Sequence, residues 1–143
     1  YCNMIKNLSY NSKKNKALLF ELVGRPFSLI ERFKLSGIGS KKLVITDASK
    51  EIVELLKLDN NINYCNIEIR KNGIIIRFRS LLETYGLIIP YYKLVIYKGE
   101  SKIYSFYKDQ YYIKFLVNNK NSTLFVKKVS RLKTDYQNTM GLN

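Results

Sequence analysis

Histidine and tryptophan are absent from this 143-residue sequence, proline and cysteine occur twice each, and 11 acidic residues face 25 lysines and arginines. Without histidine there is no imidazole base, no Ser–His or Cys–His nucleophile pair and no imidazole metal ligand. Cys2 and Cys65 are too few for a disulfide framework. Cys65 alternates with Ile67 and Ile69, which predicts a small buried apolar residue, while Cys2 is read as an exposed thiol or part of a disordered end. A reducing, cytoplasmic compartment is the expectation, with peripheral membrane attachment as its variant. No stretch reaches the ~18 consecutive apolar residues of a membrane span, and the best run, 17–23, is interrupted by Glu21. No signal-peptide pattern is visible, and Met4 is a candidate native start.

What is present is ordinary in bulk. Hydrophobic residues make up 46% and charged residues 25% of the chain, the balance of a globular domain rather than a disordered tail. The length suits one core. The formal charge is +14, a sign that favours anionic partners: nucleic acid, an acidic membrane surface or an acidic protein. Part of it follows from codon usage, since Phe, Tyr, Met, Ile, Asn and Lys together account for 70 of the 143 residues. The charge is also dispersed, at +5 over residues 1–62, +5 over 63–117 and +4 over 118–143, which is not the pattern of a dedicated basic tail.

Along the chain, residues 1–16 read as a flexible or peripherally docked basic arm and 17–143 as a single α+β domain. Pro26 can open a helix whose apolar positions include Phe27, Ile30 and Phe33, flanked by Arg25, Arg32 and Lys34. After the turn-like residues 36–40, a strand over 43–46 precedes a helix near 49–58 that Asp47 or Ser49 caps. Residues 64–70 and 74–79 flank Asn72-Gly73, the preferred pair of a two-residue type I′ hairpin turn. That register sets Ile69 opposite Ile76, Ile67 opposite Phe78 and Glu68 opposite Arg77. Further strands are expected over 85–89, 93–98, 102–107 and 110–117. A final helix capped by Asn121 or Ser122 carries Phe125, Val129, Leu132 and Tyr136 on one stripe. These elements make an α+β fold: an antiparallel β-sheet or partial barrel of six to seven strands, an N-terminal helical region and a C-terminal amphipathic helix.

The element order over residues 41–143 resembles a pleckstrin-homology-like barrel, whose strands precede a capping helix. The wording of residues 73–93, GIIIRFRSLLETYGLIIPYYK, also resembles small uncharacterised proteins of Bacteroidetes-type bacteria, a likeness that implies no activity.

Two motifs suggest chemistry without supplying its context. Gly37-Ile38-Gly39-Ser40-Lys41-Lys42 resembles a phosphate loop, but a Walker A loop needs G-x-x-x-x-G-K-[ST] between strand and helix. A tight turn fits better, with two lysines that could still meet a phosphate. Ser130-Arg131-Leu132-Lys133 matches S-x-x-K without the partner motifs that penicillin-recognising enzymes require. No residue is therefore assigned a catalytic, cofactor or metal role, and an enzyme is not expected. The expectation is a binding or scaffolding module that meets an anionic partner, foremost a protein, through Arg77, Arg79, Lys127, Lys128, Arg131 and Lys133. Two other readings stand beside it. Residues 16–35, with Phe27, Ile30, Phe33 and Arg32, could anchor the protein on an acidic membrane surface, or the interleaved basic and aromatic residues from Arg77 to Tyr104 could bind RNA or DNA.

Overall fold

Short runs of β-branched and aromatic residues, broken every six to ten positions by polar pairs, build most of this chain into strands. The computed structural model describes residues 5–9, 13–35, 37–58, 63–100 and 102–141. Its elements are β1 (Ile5–Asn7), α1 (Lys13–Val23), α2 (Leu29–Lys34), β2 (Leu43–Ala48), α3 (Lys50–Leu56), β3 (Tyr64–Ile69), β4 (Gly73–Ser80), β5 (Glu83–Pro90), β6 (Leu94–Lys98), β7 (Ile103–Lys108), β8 (Tyr111–Leu116) and α4 (Lys120–Met140).

All pairings are antiparallel, and the sheet runs β1-β5-β4-β3-β2-β8-β7-β6. The fold is thus α+β with an open, eight-stranded sheet whose edges are β1 and β6. The strand beyond the expected seven is β1. Residues 1–16, expected as a flexible or docked arm, contribute this strand against β5 and the start of α1; Ile5 is buried opposite Leu87. Cys2 lies outside the described residues.

One core cluster collects the inner faces of both halves of the sheet: Ile67, Ile76, Phe78 and Leu87 from one, Phe106, Ile113 and Phe115 from the other. Phe125, Val126 and Val129 of α4 close it, with Leu132 and Tyr136 packed at its margin, so the expected apolar stripe is the buried one. On the outer face, Leu19 and Val23 of α1 cover Ile75 and Ile88 in a smaller cluster. β4 is therefore buried on both faces at Ile74-Ile75-Ile76, which explains a continuous apolar run where alternation would otherwise appear.

The β3–β4 register differs from the expected one by two residues. Ile69 pairs with Ile74, Ile67 with Ile76 and Cys65 with Phe78; the faces are kept and the partners shift. Arg70 N–H donates to Gly73 O (2.8 Å), so the turn residues are Lys71-Asn72 rather than Asn72-Gly73. The cause is competition for the Asn72 backbone: its N–H donates to Val23 O at the end of α1, and its carbonyl accepts from Tyr91 N–H. Gly73 serves a close approach instead. A Cβ there would lie 2.5 Å from Ile89 O, 2.6 Å from Val23 Cγ1 and 2.8 Å from Pro90 Cα. Other termini differ for similar local reasons. The N-cap of α4 is Asn119, whose side chain accepts from Ser122 N–H. Between β6 and β7, Lys102 takes a positive φ.

Gly73→Ala should therefore lower stability by about 2 kcal/mol or more, since overpacking of this kind costs ~1–3 kcal/mol and backbone atoms yield less than side chains. Gly39→Ala, whose Cβ meets nothing within 4 Å, should change it little. Urea unfolding midpoints of the two variants check the contrast.

Candidate functional site

Two segments distant in sequence meet beside β2. Residues 38–40 are not a tight turn. They run alongside β3, with Gly39 bridged to Glu68, Ser40 N–H donating to Ile67 O (2.9 Å) and Ile69 N–H donating to Ile38 O (2.7 Å). Ile67 N–H in turn donates to Ser40 Oγ (2.8 Å). Regular pairing resumes at Leu43 opposite Cys65. Between these points Ser40, Lys41 and Lys42 oppose only Asn66 and Ile67, a bulge of one residue that leaves both lysines exposed. Lys42 Nζ lies over the Tyr64 ring, 5.4 Å from its centroid.

The second segment is the first half of α4. β2 pairs with β8 through Ile45–Phe115, Asp47–Lys114 and Ala48–Ile113, with Thr46 bulged. Ser49 N–H then donates to Tyr112 O (3.0 Å), and Ser49 Oγ accepts from Tyr112 N–H (3.2 Å). Ser49, read from sequence as a helix cap, thus has its side chain on β8 and caps α3 by position only. The pairing sets the start of α4 beside the 38–42 bulge, and Lys128 Nζ donates to Gly37 O (3.1 Å).

Between them lies a groove of about 750 Å³ lined by Lys41, Lys42, Lys127, Lys128 and Arg131, with Phe125 and Leu124 adding apolar surface and no carboxylate in the lining among the described residues. Burial, and then the charge of Arg131, lowers the pKa of Lys128. Arg131 thus acts on Lys128 as a like charge within the same groove. The positive end of the α4 dipole adds the same sign. Such a groove can hold an anion of more than one charge and exclude a cation. Among the described residues there is no cluster of three or more metal-ligating side chains.

The expected cationic surface is divided. Lys127, Lys128 and Arg131 enter the groove; Lys133, on the same helix, is not in its lining. Lys41 and Lys42, read from sequence as lysines beside a turn that could still meet a phosphate, complete it. Arg77 lines a different groove of about 600 Å³ with Lys16, Arg32, Arg70 and Glu68, and Arg79 is exposed on β4. There the cations are partly answered. Glu68 pairs with Arg70 Nε (2.6 Å) and with Arg77 Nη1, and Arg70 Nη1 donates to Gly24 O (3.2 Å). Burial raises the Glu68 pKa, but the hydrogen bonds and charges of Arg77 and Arg70 outweigh it and the net shift is downward. This cluster ties the α1–α2 connection to the sheet and is structural. Glu83 similarly accepts from Asn7 Nδ2 (3.3 Å).

The basic-aromatic platform also breaks up. Tyr91 is buried, donates its hydroxyl to Arg70 O (3.1 Å) and packs on Tyr136, and Tyr85 stacks on Phe78. Tyr92 and Tyr97 remain exposed. Cys65 is fully buried, and burial pushes its thiol pKa up to about 12, so it is no nucleophile. Of the apolar segment, Phe27 packs against the core, whereas Ile30 and Phe33 stand in solvent. No helix among the described residues is long and apolar enough to cross a membrane. No protein-family model, curated protein or solved structure matches the chain.

Glu68→Gln leaves Arg70, only 10% exposed in its side chain, without its counter-charge. It should cost about 2 kcal/mol, below the ~3–5 kcal/mol of a fully buried pair because Arg77 and Glu68 retain solvent contact. The folded-state pKa of Glu68 is depressed, so its contribution is complete above the ordinary carboxylate value of 4.5 and is lost as pH falls through the lower folded value. Urea midpoints measured against pH should converge for wild type and Glu68→Gln on the acid side.

Proposed function

We propose that this protein is a non-enzymatic binding module whose groove between residues 39–43 and α4 takes an anionic partner. One observation supports the reading above the rest: five cations from two distant segments line one concave surface, with no acid in that lining among the described residues. Scattered surface lysines, which codon usage would also produce, have no reason to converge in this way. The absence of histidine and the buried thiol of Cys65 favour binding over catalysis, and a cytoplasmic setting belongs to the same proposal. Nucleic acid is the weaker choice of partner, because the tyrosines that would stack on bases are partly committed to the core. The likeness to a pleckstrin-homology-like barrel is also kept as a proposal. In its favour, the pairing of β2 with β8 joins the first and last strands of the 43–116 meander, and a helix follows.

Retention on heparin, a soluble polyanion, tests the groove. The triple variant Lys41→Glu, Lys127→Glu and Arg131→Glu should bind at least about tenfold more weakly, equivalent to ~1.4 kcal/mol, and lose most of its salt dependence. Arg79→Glu, outside the groove, should have a small effect. Equal losses per charge in both would mean that diffuse charge binds heparin, and the groove reading would fall.

A further inference from the structure

α2 is held in an unusual way for a helix of six residues, a length that is not stable alone. None of its residues is buried. Leu29, Ile30 and Phe33 are 80%, 70% and 87% exposed. Polar contacts at its base fix it instead. Ser28 Oγ accepts from Glu31 N–H (3.3 Å), and Ser28 N–H donates to Glu31 Oε1 (3.0 Å), a complete capping box. Arg25 grips the same carboxylate with both terminal guanidinium nitrogens, Nη1 to Oε1 at 2.8 Å and Nη2 to Oε2 at 3.1 Å. The hydrogen bond from Arg25, followed by that from the Ser28 backbone, lowers the Glu31 pKa to about 2, so the clamp is charged at neutral pH. At the other end, Gly37 N–H donates to Arg32 O (2.8 Å). The fold thus orders a short helix whose large apolar side chains all point into water.

The surroundings identify what would cover them. Arg32 and Lys34 are exposed on the same helix. Phe20 of α1, also exposed, lines a groove with Arg32 and Lys16. The chain from α2 continues directly into Gly37, which accepts Lys128, and then into Lys41 and Lys42 of the basic groove. Large apolar side chains raised from the surface, with Arg32 and Lys34 exposed beside them on the same helix, complement a negatively charged bilayer, where acyl chains receive the apolar tips and phosphates the cations. A protein partner would more naturally meet a flat or concave patch depleted in charge at its centre.

We infer that α2 seats the protein on an anionic lipid surface, with Leu29, Ile30 and Phe33 entering the headgroup–acyl boundary and Arg32 and Lys34 meeting lipid phosphates. This deepens the groove proposal, on which it rests for the sign of the partner, by naming the partner's class.

The absence of tryptophan makes the test clean, because Phe33→Trp introduces a single indole at the predicted insertion point. The probes are vesicles of phosphatidylcholine with one quarter phosphatidylserine, vesicles of phosphatidylcholine alone, and heparin. Emission of Phe33→Trp should shift to shorter wavelength with the anionic vesicles only, while Tyr97→Trp on the β6 edge should not shift. Ile30→Ser/Phe33→Ser should co-sediment with anionic vesicles at least tenfold more weakly, yet keep the wild-type urea midpoint and heparin retention. Vesicle binding unchanged in the serine variant would overturn the inference. So would heparin retention by a wild-type protein that ignores anionic vesicles, and in either case the groove reading would stand. Loss of heparin and vesicle binding together in the wild type would remove both.

Discussion

The groove depends on the antiparallel pairing of β2 with β8. β2 is shared between two halves of the sheet: Leu43 and Val44 pair with β3, while Ile45, Asp47 and Ala48 pair with β8. That division lets strands from both halves deliver Phe78 and Phe115 to a single core. The same division brings the residues before β2 against the helix after β8. Ser49 and Tyr112, 63 residues apart, are locked by backbone and side-chain hydrogen bonds, and Lys128 reaches Gly37 across 91 residues. Without this pairing, Lys41 and Lys42 would be loop lysines and Lys127, Lys128 and Arg131 an ordinary solvated helix face.

Two groups of cations in this protein contrast, beside others such as Lys93 and Lys108, which share Asp109. Arg25, Arg70 and Arg77 face carboxylates at short distance and join segments: Arg25 clamps the start of α2, and Arg70 with Glu68 fastens the α1–α2 connection to β3. Lys41, Lys42, Lys127, Lys128 and Arg131 share one groove, whose described lining has no acid. The first group is all arginine, and the second is lysine apart from Arg131. The rigid, forked guanidinium suits fixed geometry, and the flexible, strongly hydrated ammonium suits a partner that arrives from solvent. Net charge alone hides this distinction, because both classes count equally toward +14.

Elements governed by local patterning were legible in the sequence. The stripe Phe125, Val129, Leu132 and Tyr136 identifies the inward face of α4, and the alternation around Cys65, Ile67 and Ile69 identifies the inward face of β3. What failed was set by contacts between distant segments. The β3–β4 register moved by two because Val23 and Tyr91 claim the backbone of Asn72, and nothing within the hairpin reveals that. The covering of Ile30 and Phe33 by the sheet, the ordinary fate of an apolar helix stripe, does not occur, because the capping box and Arg25 hold α2 without burial. β1 escaped notice because three residues carry too little periodicity. The groove is half visible: Lys127, Lys128 and Arg131 stand together on α4 in the sequence, and Lys41 and Lys42 stand apart from them beside a turn. Only the β2–β8 pairing unites them, and pairing of the first and last strands of a long meander leaves no local trace.

The proposed function requires that residues 39–43 and the first half of α4 act as a single anion site. The most direct measurement is a titration of isotopically labelled protein with inorganic pyrophosphate, following backbone amide resonances. The account predicts that amides of Gly39–Leu43 and of Asn121–Arg131 shift together along one binding curve, while those around Arg79 stay still. Shifts confined to one of the two segments, or spread evenly over lysines throughout the chain, would contradict it.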